Sequence, residues 1–148
     1  MLEPPSFALV LLADLHAHEE VANDDLDGLV QVIRREGMVR EPLLVAAGAL
    51  VILNGHHRYR ALLALGATRA PCWLVDYEDP RVTLDRWTAG PPITKEEVVE
   101  RGRQGRLFPP KTTRHRVAFE LPSRPTPLAK LGAPPVATGP TRSRPKDP

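Results

Sequence analysis

A chain of 148 residues with 42% hydrophobic content has room for one domain with a real core and little more. Its single cysteine, Cys72, rules out an internal disulfide and a multi-cysteine zinc site, and no apolar run reaches the roughly 20 residues needed to cross a bilayer. The formal charge of +2 is uneven: residues 1–121 carry 15 basic and 17 acidic groups, so a body built to wrap duplex DNA is not expected.

Phe7 to Leu12 is an apolar run with β character and reads as the first strand. Ala13 to Val21 is dense in titratable groups; if extended, it puts His16 and His18 on one face and Glu19 on the other. A carboxylate at a strand end is placed to act as a general base, although a solvated acidic loop explains the same residues. Two imidazoles without a third ligand do not make a metal site, and no metal-ligating set is assigned. Asn23 or Asp24 caps a helix in which Leu26, Leu29, Val30 and Ile33 recur on one face, with Gly37 beyond its end. Pro42 to Ala46 and Leu50 to Leu53 read as two strands joined through Ala47-Gly48.

The second of these strands runs into Asn54-Gly55-His56-His57-Arg58-Tyr59-Arg60, and a helical pattern with Ala61, Leu62 and Leu65 follows, stopped by Gly66. Strand, glycine turn and helix start make an anion site, because the first N–H groups of a helix lack internal partners and sit at the positive end of its dipole. Gly55 permits a backbone angle or a close approach that a side chain would block. Arg58 can grip two oxygens of one anion.

Ala70 to Asp76 is a further apolar run, in which Cys72 reads as a packed small residue. Val82 to Trp87 reads as an extended segment, and Trp87 is assigned to the core in preference to a pocket wall. Thr94 and Glu97 form a capping box that opens a helix ending at Gly102 or Gly105, before Leu107-Phe108-Pro109-Pro110. Lys111-Thr112-Thr113-Arg114-His115 presents five consecutive hydrogen-bonding side chains and reads as a loop suited to phosphate or carboxylate. Val117, Phe119 and Leu121 alternate as a final strand would. Eight of the 17 prolines fall in the last 27 residues. The folded domain is therefore expected to be 1–121, with 122–148 a disordered Pro/Arg-rich tail able to touch nucleic acid only weakly. With no basic n-region at the N-terminus, a cytoplasmic location is the expectation.

The run Val51 to Leu65 followed by Gly66-Ala67-Thr68-Arg69-Ala70-Pro71 resembles the ParB N-terminal and sulfiredoxin superfamily, which implies a small α/β (α+β) domain with a mixed sheet and packed helices. The sulfiredoxin cysteine position is His56, and the Gly-Glu-Arg-Arg turn of partitioning ParB proteins is absent. His18-Glu19, the Asn54 to Tyr59 turn, Trp87 and Phe108 to His115 together are similar to the free L-serine kinases, the archaeal ADP-dependent and staphyloferrin B biosynthesis enzymes among them. That resemblance covers roughly residues 7 to 120. It implies that Glu19 is the base activating the serine hydroxyl, with Asn54 and His57 also at the reacting centre, and Glu20 leaves the base open by one residue. Gly55, His56, His57 and Arg58 would hold the phosphates of ADP or ATP, with Mg²⁺ bridging them. Trp87, Lys111, Thr112, Thr113, Arg114 and His115 would form the amino-acid pocket. The family's turn begins with Asp, whereas this chain has Asn54, which keeps open a non-enzymatic nucleotide-binding regulator as the alternative.

Overall fold

The computed structural model describes residues 4–134. Eight strands and three helices follow in the order β1 (Ser6–Leu11), α1 (Asn23–Glu36), β2 (Met38–Val39), β3 (Leu43–Ala46), β4 (Ile52–Asn54), α2 (His56–Ala64), β5 (Arg69–Val75), β6 (Val82–Arg86), α3 (Lys95–Gln104), β7 (Thr113–Val117) and β8 (Thr126–Pro127). Short 3-10 turns stand at Leu12–Asp14 and Leu128–Leu131.

The fold is α+β with a mixed four-stranded sheet in the order β1-β5-β3-β4. β1 and β4 run antiparallel to their neighbours, while β3 and β5 are parallel. β3 is buried along its whole length, as a central strand covered on both faces must be. Its alternate residues serve two cores: Leu43 and Val45 face α1 and α2, and Leu44 and Ala46 face α3 and the antiparallel β6–β7 pair. β4 is shared in the same way, with Ile52 on the first side and Val51 and Leu53 on the second.

α1 lays Leu26, Leu29, Val30 and Ile33 on the first core, as their spacing requires. Neither Asn23 nor Asp24 caps it: both are inside the helix and the N-cap is Ala22. Thr94 does cap α3, its hydroxyl accepting from the Glu97 N–H at 3.1 Å. α3 lies against β4 through Gly102, where a β-carbon would come within 2.9 Å of Val51.

Two boundaries move from their sequence-based positions. β7 begins at Thr113 and ends at Val117, so Thr113-Arg114-His115 is strand, paired with Leu84 to Arg86, and Phe119 and Leu121 lie beyond it. The folded body does not stop at Leu121. β8 pairs with β2, Leu128 and Leu131 enter the first core at 6% and 0% exposure, and Thr68 N–H donates to the Leu131 carbonyl at 2.8 Å. Proline density misplaced this boundary because Pro122, Pro125 and Pro127 sit in an extended strap, where a fixed backbone angle suits packing. The rest of the proposed tail, from residue 135, lies outside the described residues. Among the described residues no helix is long and apolar enough to cross a membrane.

Candidate active site

The site is assembled beside β4, along which residues 16–18 run parallel. His16 pairs with Val51 on one side, and His18 and Glu20 exchange backbone hydrogen bonds with Phe108 on the other. This short extended segment is therefore fixed from both edges, and alternation sends His18 inward to zero exposure. Glu19 points the other way, toward the turn that precedes β7.

The Glu19 carboxylate accepts four hydrogen bonds. Oε1 takes the Thr112 N–H at 3.2 Å, the Thr113 N–H at 2.8 Å and the Thr113 hydroxyl at 2.8 Å. Oε2 takes only the Lys111 N–H at 3.0 Å and keeps acceptor capacity toward the cleft. Lys111 holds a left-handed φ of 58°, a conformation that strains a non-glycine residue and here persists under the grip of Glu19. One oxygen is an anchor and the other is presented.

Opposite stands the first turn of α2. Gly55, at φ 104°, is its N-cap, and no side chain caps the helix, so its first N–H groups face outward. Gly55 is required twice: its φ is left-handed, and a β-carbon would lie 3.0 Å from both Leu43 and the Arg58 guanidinium. Arg58 is half-buried, its pKa pushed down by burial and held up by Glu41, and it lies between the main cleft and a smaller cavity of about 200 Å³. The main cleft is about 430 Å³. Glu19, Asn54 and the Gly55 to Arg58 turn line one part of it, and Trp87, Lys111, Thr113, Arg114 and His115 line another.

Eleven of the twelve sequence-assigned residues thus share one cleft, and Thr112 does not. Its hydroxyl is turned away onto the Pro109 carbonyl at 2.7 Å, so Thr112 shapes the turn that holds Glu19. Trp87 is not a core residue as its sequence context suggested: it is 57% exposed just past the end of β6, with the Arg114 guanidinium 4.4 Å from its ring centroid. Three of the assigned side chains face inward instead of toward a ligand. His56 Nε2 accepts the His18 N–H at 3.2 Å, Thr113 is shared with Glu19 and His18, and His115 Nε2 meets the Tyr77 hydroxyl at 2.7 Å. The cations left to meet a ligand are Arg58, Arg114 and Lys111. His57 stands beside them, its Nε2 4.0 Å from Asp25 and without a hydrogen-bond partner among the described residues.

Sequence reasoning missed Asp25, an exposed carboxylate that lies 4.0 Å from both His57 and the Lys111 ammonium at the cleft rim. Nothing in the first turn of α1, where Asp24 and Asp27 flank it, marks it out. Cys72, at zero exposure with its thiol pushed up to about 12 by burial, is the packed residue expected.

Burial also keeps the inner imidazoles neutral. It drives His56 well below its ordinary value, helped by repulsion from His18 and His115, and drives His115 down to about 3. In the unfolded chain both rings titrate at the ordinary value of about 6.5 and so bind protons that the folded chain refuses. Stability is full above that value and is lost as the pH falls below it. From about pH 7 to about pH 5, denaturant titrations should find about 2 kcal/mol lost for each ring. The His115→Gln variant should lose one proton from that slope; an unchanged slope would remove His115 from the account.

No protein-family model matches the chain. An ATP-dependent L-serine kinase of Desulfurococcus mucosus is 35% identical over 86 residues, which is 55% of this chain and 34% of that protein. The ADP-dependent L-serine kinase SerK of Thermococcus kodakarensis is 29% identical over 99 residues, 64% of this chain and 41% of that one. A ParB-like protein of Sulfolobus acidocaldarius is 33% identical over 73 residues, 49% of this chain and 36% of that one. The chain therefore matches about a third to two fifths of the length of these curated relatives. Among solved structures, a free serine kinase in complex with AMP superposes with a TM-score of 0.77 at 19% identity, over 88% of this chain and 95% of that one. SbnI from Staphylococcus aureus, truncated at its C-terminus, does so with a TM-score of 0.73 at 15% identity, over 84% and 88%. In fold this chain is like the free serine kinase and SbnI structures, and over part of its length its sequence is similar to L-serine kinases and to a ParB-like protein.

Proposed function

We propose that the chain moves a phosphoryl group from ADP or ATP to the hydroxyl of free L-serine, giving O-phospho-L-serine. The observation that carries this reading is the cleft itself, in which an anchored carboxylate, Glu19, whose Oε2 accepts a single hydrogen bond, shares the cleft with an uncapped helix start and Arg58. The α2 N-terminus and Arg58 bind and neutralise the phosphates, and Glu19 Oε2 takes the serine proton as its oxygen attacks. Arg114 and Lys111 meet the serine carboxylate, and Trp87 closes one wall.

Among the described residues no group of three His, Cys, Asp or Glu side chains is placed to hold a metal ion. A Mg²⁺ used in this reaction would arrive on the nucleotide, keeping several waters and bound mainly through the substrate phosphates. Asn54, exposed at the end of β4 and lining the cleft, would supply a neutral oxygen to it. The ion supplies charge neutralisation on the transferring group. A free amino acid and a nucleotide as substrates favour a cytoplasmic location.

The test is incubation with serine, Mg²⁺ and each nucleotide, with phosphoserine read by mass spectrometry; no product with any nucleotide overturns the proposal. Trp87→Ala is expected to raise KM for serine about tenfold with a smaller change in kcat, since it removes a wall and the Arg114 stack. Equal KM values would take Trp87 out of the amino-acid pocket.

Asn54 favours a second reading, a nucleotide-binding regulator without turnover, because an amide there lacks the charge of a carboxylate. Calorimetry showing nucleotide binding with no product, together with DNA binding lost on deletion of 135–148, would support it. Deletion from residue 122 would not test it, because that cut removes core residues Leu128 and Leu131.

A further inference from the structure

Behind Glu19 lies a line of polar atoms whose protons can be counted. His18 Nδ1 is 2.8 Å from the Ile52 carbonyl, His18 Nε2 is 2.8 Å from Thr113 Oγ1, and Thr113 Oγ1 is 2.8 Å from Glu19 Oε1. Three contacts need three protons. A carbonyl only accepts, so Nδ1–H is protonated, and a neutral His18 ring then has a bare Nε2. The Thr113 hydroxyl supplies one proton and can donate to one neighbour only. A neutral imidazole, a hydroxyl and a carboxylate hold two protons, one short.

We propose that Glu19 and His18 share one further proton through the Thr113 hydroxyl, so that His18 and Thr113 set the base strength of Glu19. This deepens the kinase reading and rests on it for its role in turnover; the shared proton itself does not. In one arrangement Glu19 is ionised, Thr113 donates to it, and a doubly protonated His18 donates from Nε2 to Thr113. In the other, Glu19 Oε1 holds the proton and donates to Thr113, which donates to a neutral His18. The two interconvert by moving two protons one hydrogen bond each, with the pair neutral throughout.

The surroundings of the ring support a paired charge. His56, His115 and Phe108 face it edge-on with centroids at 4.6, 5.7 and 6.2 Å, and the first two are held neutral by burial. Glu19, reached through one hydroxyl, is the charge that faces it. Burial pushes His18 down, so a charge on its ring needs an opposite charge beside it, and the Glu19 carboxylate one hydroxyl away is placed to supply it. In turnover the first arrangement is the competent one. Serine gives its hydroxyl proton to Glu19 Oε2, its oxygen bonds to the terminal phosphorus, and the breaking P–O bond leaves its electron pair on the departing nucleotide. The pair then holds two protons and returns one to solvent as product leaves.

The test reads the full chain by NMR, with the His18 Nε2 and the Glu19 carboxyl carbon followed together across about pH 5 to about pH 8. At neutral pH the two occupancies should sum to one proton. Glu19→Gln and Thr113→Val should each leave His18 neutral, and Thr113→Ser should restore the shared proton. Two bare groups at neutral pH, or a Thr113→Val spectrum identical to that of the native chain, overturn the proposal. In the kinase assay Thr113→Val should move the acidic limb of kcat/KM upward by about one pH unit, with Thr113→Ser returning it. If no phosphoserine forms, the kinase reading fails while the NMR result still decides the shared proton. If phosphoserine forms and the limb stays in place in Thr113→Val, the role in turnover fails alone.

Discussion

Glu19→Gln is expected to lower phosphoserine formation by about a hundredfold to ten-thousandfold, the range that a positioned general base contributes. Glutamine isolates the chemistry, because its amide oxygen can still accept from the Thr112 and Thr113 N–H groups that now reach Oε1. The amide NH2 in place of Oε2 cannot accept from the Lys111 N–H, so the turn keeps two of its three backbone anchors and the melting temperature should fall by less than in Glu19→Ala. Glu19→Ala tests something further. It strips the partners from three backbone N–H groups and releases the left-handed Lys111, at a cost of about 1–3 kcal/mol for each donor left unsatisfied. Alanine should therefore lose both activity and most of the turn's support, whereas glutamine should lose activity with the smaller loss of stability. Mass-spectrometric product assays and thermal melts of both variants check this. Full activity in Glu19→Gln would move the base to another residue.

Ending the chain after Leu121 is expected to unfold it. Such a cut removes Leu128 and Leu131 from the first core, the β8 partner of β2, and the Leu131 carbonyl that receives the Thr68 N–H. Losing one buried leucine side chain costs about 2–5 kcal/mol, and a whole domain is stable by only about 5–15 kcal/mol. Two leucines and their backbone pairing thus approach the full stability. Leu131→Ala alone should cost about 2–5 kcal/mol in a urea titration followed by circular dichroism. A cooperative, native-like transition in the 1–121 chain would show that the strap is dispensable.

These expectations rest on different parts of what the chain encodes. The α1 stripe, the Gly55 turn with its helix, and the Thr94 cap are local: each is written within a few residues and settled by backbone geometry and periodicity. Trp87 failed as a core assignment because its neighbours in sequence say nothing of the Arg114 that stacks on it from β7. The strap failed because proline density is the same in a solvated tail and in an extended segment pinned by Leu128 and Leu131. The division of labour among the polar residues was out of reach as well. Thr112, Thr113 and Arg114 are adjacent in sequence, yet one braces a turn, one bridges Glu19 to His18, and one faces the cleft.

By itself the sequence determined the α+β class, the glycine turn that opens α2, and the three polar patches that line the cleft. Only the tertiary structure brought Glu19 to Thr113 across 94 positions and His18 to the same hydroxyl across 95. The physical reason is that helices, caps and turns are selected by interactions within one or two turns of backbone. A hydrogen bond between distant segments depends on the packing of everything between them.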